Sequence, residues 1–266
     1  MDRNRNENQL NQAGGTKVYL LDLNFLQDPA VYEEMRGQVS LGRRLRADKY
    51  RFQEDRIRSL GAGLLLQAVT GLSDEDMDYE PGGKPFFPVH PEIAFSLSHS
   101  GMLAALAVSG RKCGVDCEEI RAEKESFRLI AQKYFTEEEQ REVYGGSVAS
   151  EEQREVYGSP AEEARERKED APDHVFNAEA FARIWTKKEA YVKMTGEGIA
   201  ALKTTAEEPC FFPEVPAPEG YAVSLCLAGE APEEAAVQIV APEDLIRAFT
   251  SSDETSENVH QPPAEP

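Results

Sequence analysis

The spacing of apolar and polar residues predicts alternating strands and helices over most of the chain. TKVYLLDLN (16–24) is an apolar run of strand length, typical of a strand buried on both faces. Residues 43–71 have helical periodicity, and Gly71 is a typical stop signal. The apolar face of that helix is formed by Leu60, Leu64, Leu65 and Ala68. Further strands are predicted at 93–97, 103–109, 113–118, 221–227 and 235–240, and a short helix at 243–249.

A second long helix is predicted at 178–195, where Asn177 can cap the start and Gly196 can end it. Its apolar face is formed by Phe181, Ile184, Trp185 and Val192. PGGKP (81–85) predicts a tight turn between the first helix and the next strands.

A polar tract with an internal duplication interrupts the second half of this pattern. EEQREVYG occurs at 138–145 and again at 151–158. The stretch 138–170 holds eleven acidic and five basic residues, so we interpret it as a solvated insertion, bounded at 138–173, that could lose one copy of the repeat without harm to the fold.

The order of elements is β–α–β–β, followed by a second β–α–β–β. This order predicts an α+β fold built as a pseudo-twofold pair of similar subdomains, one at 16–112 and one at 113–249. The polar ends of the chain, 1–15 and 250–266, are predicted to be disordered.

The charge of the chain restricts its partners and its location. The net charge is -20, with 49 acidic residues against 29 basic ones, so we expect no binding to nucleic acid. We expect no membrane span, because no apolar run reaches about 18 residues. The polar N-terminus does not resemble a secretory signal, and four cysteines in 266 residues do not suggest a disulfide scaffold. These features favour a cytoplasmic protein.

Asp116 and Glu118 lie in GVDCEEI, two positions apart on a predicted strand. Residues at this spacing point to the same face of a strand, so both carboxylates can converge on one point. A buried pair of like charges favours a cation between them, and oxygen ligands suit Mg²⁺. The alternative is a solvent-facing acidic strand end.

The helix at 178–195 carries charged residues within or beside its apolar face. Lys188 lies in the middle of that face, while Glu189 lies at its edge, one turn from Lys193. One interpretation is a lysine that extends its ammonium group to solvent, with an ordinary Glu–Lys pair beside it. The other is a site in which Glu189 completes a metal shell and the lysines meet an anion.

Residues 43–58 form a basic island, with seven basic residues against three acidic ones. Arg44, Arg51 and Arg58 are spaced to share one helical face, which suits either paired surface charges or a phosphorylated ligand. In FSLSHSG (95–101), Ser98 and His99 lie at a strand end, where a lone histidine is more often structural. Sequence motifs typical of serine hydrolases, P-loops and Rossmann folds are absent.

Four motifs in order resemble those of the 4′-phosphopantetheinyl transferase superfamily, in its two-half Sfp type. They are GGKP at 82–85, FSLSHSG at 95–101, GVDCEEI at 114–120 and WTKKEAYVKMTGEGI at 185–199. The resemblance covers roughly residues 16–240. Cys117 stands where the family usually has an aliphatic residue, and we expect its small side chain to fit.

The resemblance implies an Mg²⁺-dependent transfer of 4′-phosphopantetheine from coenzyme A to a serine of an apo carrier protein. Asp116, Glu118 and Glu189 would bind Mg²⁺, and Glu189, Lys193 and Asp116 would act in catalysis. The coenzyme A site implied, including the lysines of the second helix, is Arg43, Arg46, Arg58, Ser59, Lys84, Ser98, His99, Lys188 and Lys193.

The similar halves favour a monomer. Two alternatives stay open: a non-catalytic coenzyme A or carrier-protein binding module, and an unrelated Mg²⁺ phosphohydrolase.

Overall fold

A four-stranded sheet forms the centre of the fold. The computed structural model describes residues 15–145, 176–199, 202 and 208–250. The sheet consists of β1 (Lys17–Asp22), β4 (Ala94–Ser100), β5 (Leu103–Ser109) and β9 (Ala236–Val240), in the order β4-β5-β1-β9. β1 runs antiparallel to β5 and parallel to β9. The strand predicted at 16–24 is confirmed, although its last residues turn into a short 3₁₀ helix.

Four helices are associated with this sheet: α1 (Pro29–Gln38), α2 (Leu41–Asp48), α3 (Gln53–Thr70) and α7 (Pro242–Thr250). Leucines of α3 form the main core with residues of β1, β5 and α7. The prediction of one helix over 43–71 is wrong, because the chain breaks between α2 and α3. Arg51 lies in that break, so Arg44, Arg51 and Arg58 do not share a helical face. Gly71 does end α3, in the left-handed conformation.

A second sheet carries the other long helix. β6 (Cys113–Glu119), β8 (Tyr221–Ala228) and β7 (Cys210–Phe211) pair antiparallel in the order β6-β8-β7. α6 (Ala178–Thr195) packs across β6 and β8. The predicted ends of this helix are confirmed: the Asn177 side chain accepts a hydrogen bond from the Ala180 amide, and Gly196 adopts a left-handed conformation.

Two helices that the sequence analysis missed, α4 (Glu125–Tyr134) and α5 (Glu137–Tyr144), pack on the first turns of α6. α5 contains nearly all of the first EEQREVYG copy, and its Val143 and Tyr144 are buried against Phe181 of α6. The interpretation of this copy as solvated is wrong, and the expectation that the fold tolerates the loss of one copy stays a prediction. Its charged residues lie on the more exposed side of an amphipathic helix, while Gln140, Val143 and Tyr144 are buried. The remainder of the predicted insertion, including the second copy, and the predicted disordered ends 1–14 and 251–266 lie outside the described residues.

The predicted turn at 81–85 is confirmed, and it joins β2 (Asp78–Tyr79) to β3 (Pro85–Phe86). A Cβ at Gly82 would lie 1.7 Å from the Gly196 carbonyl oxygen. This turn therefore packs directly on the C-terminal end of α6.

The two sheets meet where β4 lies beside β6. The prediction of an α+β fold is confirmed. The division into two halves stays a prediction, and β9, from the second predicted half, pairs with β1 of the first. No helix in the described part of the chain is both long enough and apolar enough to span a bilayer.

Candidate active site

β6 separates a polar face from an apolar one at the junction of the two sheets. Asp116 and Glu118 point to the polar face and line a cavity of about 490 Å³. Cys113, Val115 and Cys117 point the other way into a core shared by both sheets. Burial raises the pKa of Cys117 to about 12, so this thiol stays neutral. The prediction that Cys117 fits as a small apolar residue is confirmed.

Gly114 brings α6 against β6. A Cβ at this position would lie 2.0 Å from the Ala190 carbonyl oxygen and 2.4 Å from the Met194 amide nitrogen. Only glycine allows two backbones to approach this closely. The contact places the last turns of α6, with Glu189 and Lys193, beside the carboxylates of β6.

Lys193, Ser98 and Asp116 form a closed hydrogen-bonded triangle. The Lys193 ammonium donates to Asp116 Oδ1 at 2.6 Å and to Ser98 Oγ at 2.8 Å, and Ser98 donates to Asp116 Oδ1 at 2.7 Å. Burial alone would lower the pKa of Lys193, but the Asp116 carboxylate raises it, so the ammonium stays charged. The other oxygen, Asp116 Oδ2, is buried without a hydrogen-bond partner among the described residues.

Glu118 and Glu189 face the same cavity from β6 and α6. Burial raises the pKa of Glu118, and burial together with the charges of Asp116 and Glu118 raises the pKa of Glu189. Three carboxylates thus share a poorly solvated space that contains one ammonium group. Such a site favours a further cation.

The donors present suit Mg²⁺, which prefers carboxylate oxygens. In the described ranges, no three Asp, Glu, His or Cys side chains already form a closed ligand cluster. The observation that fits a metal is the unpaired, buried Asp116 Oδ2 in a cavity that two further acids line, because such an atom is costly to leave without a partner.

Basic and aromatic residues also line the cavity. We call Arg43, Arg46 and His99, together with Tyr79, the basic wall. Arg43 is buried, and its guanidinium donates two hydrogen bonds to Asp74, at 2.7 and 2.6 Å. Arg46 donates to the Tyr79 hydroxyl at 3.1 Å. His99 is exposed at the cavity, where partial desolvation and nearby cations lower its pKa.

Arg58 and Ser59 lie outside the residues that line the cavity. Arg58 donates to the Gly101 carbonyl oxygen at 3.1 Å and also pairs with Asp55. Ser59 is buried in α3, where its carbonyl oxygen accepts a hydrogen bond from Arg43 at 3.2 Å. Arg58 therefore supports the turn at Gly101, and Ser59 supports Arg43 of the basic wall. The assignment of Arg58 and Ser59 to a ligand stays a prediction.

Lys84 does not reach the cavity lining, although the resemblance implied a place in the nucleotide site. Its ammonium donates to the backbone carbonyl oxygens of Cys113 at 2.8 Å, Met194 at 3.0 Å and Lys193. All three ammonium hydrogens are used. Lys84 therefore fixes the C-terminal end of α6, where carbonyl groups favour a cation.

Lys188 also turns away from the cavity. Its ammonium forms an ion pair with Glu139 of α5 at 2.9 Å and lies 5.7 Å from the centre of the Phe135 ring. Glu139 is in the first EEQREVYG copy. This ion pair therefore ties α6, the helix that carries Glu189, to the segment that the sequence predicts to be a solvated insertion. This geometry does not support the assignment of Lys188 to coenzyme A.

The sequence analysis missed three contributors: Asp74, Tyr79 and Ser100. Asp74 and Tyr79 hold the arginines of the basic wall, and no motif marks them. Ser100 donates to Glu118 Oε2 at 2.6 Å. The alternating serines of FSLSHSG could have revealed it, since every second residue of a strand shares a face.

The fold and the site define a class: an α+β protein whose cavity is lined by carboxylates of β6 and α6 together with Arg43, Arg46 and His99. The family model described as the 4′-phosphopantetheinyl transferase superfamily matches residues 112–240. Over this stretch the chain is similar to that superfamily.

Curated relatives carry the corresponding name. The 4′-phosphopantetheinyl transferase psf-1 of Bacillus pumilus is 28% identical over 193 residues, covering 69% of this chain and 70% of that protein. The 4′-phosphopantetheinyl transferase HetI of Nostoc sp. is 28% identical over 216 residues, covering 76% and 80%. A 4′-phosphopantetheinyl transferase of Bacillus subtilis is 23% identical over 219 residues, covering 74% and 85%.

Proposed function

We propose that this enzyme transfers 4′-phosphopantetheine from coenzyme A to a serine of an apo acyl or peptidyl carrier protein. The observation that carries the proposal is the triangle of Lys193, Ser98 and Asp116, in which Asp116 Oδ2 has no partner among the described residues. Glu118 and Glu189 line the same cavity. Similarity to the superfamily supplies the class of reaction, and this geometry supplies the residues.

Asp116, Glu118 and Glu189 would hold Mg²⁺, with Asp116 Oδ2 as the first ligand. When bound, the metal neutralises charge on the pyrophosphate of coenzyme A. Lys193 lies on the same wall and keeps its charge, because the Asp116 carboxylate raises its pKa. It would therefore stabilise the negative charge that grows on the leaving group.

In the transfer, the carrier serine oxygen bonds to the phosphorus next to pantetheine. The bond from that phosphorus to the bridging oxygen breaks, and 3′,5′-ADP leaves with that oxygen. The serine proton passes to Glu189 or to a water that Glu189 orients.

The basic wall would bind the nucleotide end of coenzyme A. His99 is exposed at the cavity and would contact the 3′-phosphate, while Arg46 would approach from α2. Arg43 has its charge offset by the bidentate pair with Asp74, so its main contribution is to hold α2 in place. The hydrogen bonds from His99 and Arg46 to phosphate would be charge-assisted, and such bonds are about twice as strong as neutral ones.

A carrier protein must dock near the cavity despite the net charge of -20. The basic residues of 43–58 would meet acidic side chains of the carrier, and the exposed Leu41 and Leu45 of α2 offer apolar area on the side of the helix away from Arg43. We further propose a cytoplasmic location, since coenzyme A and apo carrier proteins are its substrates, and a monomer, since the two halves of the chain are similar.

Incubation with coenzyme A, Mg²⁺ and an apo carrier protein, followed by intact mass spectrometry, tests the proposal. We expect the carrier to gain one phosphopantetheine group, and a carrier whose acceptor serine is alanine should gain nothing. Coenzyme A binding without a mass gain would instead identify a binding module. Phosphate release in the absence of a carrier would identify a phosphohydrolase.

A further inference from the structure

Serine hydroxyls join the two sheets where β4 and β6 lie side by side. In the described part of the chain, β4 pairs only with β5 and β6 only with β8, so these neighbouring edges belong to different sheets. Ser96, Ser98 and Ser100 occupy alternate positions of β4 and all point towards β6. We call these three residues the serine seam.

Each hydroxyl of the seam bonds to a different kind of partner. Ser96 Oγ accepts a hydrogen bond from the Val115 amide at 3.0 Å and contacts only backbone on β6. Ser98 belongs to the triangle with Lys193 and Asp116. Ser100 Oγ donates to Glu118 Oε2 at 2.6 Å and accepts from the Glu119 amide at 3.2 Å.

Ser100 is held at both ends of its hydroxyl. A serine hydroxyl has one hydrogen to donate, and the amide of Glu119 occupies an acceptor site, so the hydrogen is directed at Glu118. Glu118 has a long side chain, and a residue of this type loses much rotamer freedom when it is fixed. The bond from Ser100 therefore keeps Glu118 in a single position facing the cavity.

We propose that Ser100 is a positioning residue for the Mg²⁺ site. It holds Glu118 ready before the metal arrives, so that binding does not have to order this side chain. The inference rests on the proposed function for the identity of the metal. A prearranged ligand binds its metal more tightly than a mobile one, because less conformational freedom is lost on binding.

The test compares Ser100→Ala with Ser96→Ala. Both variants remove one hydroxyl of the seam and leave an amide of β6 without its partner, but only Ser100→Ala removes a bond to a carboxylate. Trp185 is the only tryptophan of the chain and lines the cavity, so its fluorescence can follow Mg²⁺ titration in the presence of coenzyme A. Thermal unfolding of each variant reports the structural loss separately.

We expect Ser100→Ala to weaken Mg²⁺ binding about tenfold, which equals about 1.4 kcal/mol. Ser96→Ala should bind Mg²⁺ within about twofold of wild type while losing a similar amount of thermal stability, since both amides lose one neutral hydrogen bond. Ser100→Thr keeps a hydroxyl on a strand and should restore the affinity. Equal Mg²⁺ affinity in Ser100→Ala and wild type, or an equal loss in both alanine variants, would overturn the proposal.

A double substitution gives a second test. If Ser100 acts through Glu118, adding Ser100→Ala to Glu118→Gln should lower Mg²⁺ affinity no further. An additional loss in that background would contradict the assignment. Wild-type protein that binds Mg²⁺ but transfers nothing to the carrier would refute the proposed function while leaving the role of Ser100 intact.

Discussion

Gly114→Ala would test whether the close contact between β6 and α6 creates the active site. The added Cβ would lie 2.0 Å from the Ala190 carbonyl oxygen, 2.4 Å from the Met194 amide nitrogen and 3.0 Å from the Lys193 carbonyl carbon. All three are backbone atoms of one rigid helix, so no side chain can rotate to make room.

The displacement follows from these distances. Cβ atoms essentially never approach other heavy atoms within 3.0 Å, so α6 must withdraw from β6 by at least about 1 Å. That movement would lengthen the 2.6 Å bond from Lys193 to Asp116 beyond hydrogen-bond range. A misplacement of about 1 Å in a catalytic group can lower the rate about 10²-fold. Overpacking of this kind typically destabilises a protein by about 1–3 kcal/mol.

The assay measures initial transfer rates by intact mass of the carrier, together with the thermal midpoint. We expect a rate loss of about 10²-fold and a midpoint lowered by roughly 2–12 °C, since 1 kcal/mol corresponds to about 2–4 °C in a chain near this size. Gly37→Ala is the matched control, because a Cβ there has no neighbour within 4 Å. Its midpoint should be equal or higher. A Gly114→Ala protein with wild-type rate and midpoint would show that α6 does not depend on this contact.

Three further predictions concern the carboxylates, the nucleotide end and the first repeat. Asp116→Ala should lower turnover at least ~10²-fold, and near-normal turnover at saturating Mg²⁺ would remove Asp116 from the metal site. His99→Ala should raise KM for coenzyme A about tenfold but have little effect on KM for 3′-dephospho-coenzyme A; an unchanged preference between the two substrates would contradict contact with the 3′-phosphate. Val143→Ala, in the buried face of α5, should cost about 2 kcal/mol, whereas Leu129→Ala, at an exposed position of α4, should cost little. Equal midpoints for the two variants would show that α5 does not contribute to the core.

The sequence was most informative where a local rule fixes the structure. The i, i+2 spacing of Asp116 and Glu118 predicted that both face one cavity, because strand geometry allows no other arrangement. Asn177 and Gly196 predicted both ends of α6, because capping is a local interaction. The long helices and the core strands follow from periodicity alone.

The partners of long side chains could not be predicted in this way. Lys84 and Lys188 lie in the motifs that carry the family resemblance, yet their ammonium groups bind backbone carbonyls and Glu139 rather than the cavity. A lysine can reach in several directions from one Cα position, and tertiary contacts decide which acceptor it meets. The first repeat copy misled for a related reason. Its acidic composition concealed three buried residues at helical spacing, which are Gln140, Val143 and Tyr144.

The charges of the cavity argue that metal and phosphorylated ligand bind together. Asp116, Glu118 and Glu189 face one ammonium, that of Lys193, so the acidic wall is net negative when all four groups are ionised. A ligand with several phosphate charges would be repelled by this wall on its own. A divalent cation would convert that repulsion into attraction, and the phosphate oxygens would complete the coordination of the cation. Because such coupling is reciprocal, each ligand must raise the affinity for the other by the same factor. Two features support this arrangement. The serine seam bonds to both carboxylates of β6, those of Asp116 and Glu118. The close contact at Gly114 brings Lys193 near enough to bond one oxygen of Asp116 and leaves the other oxygen free.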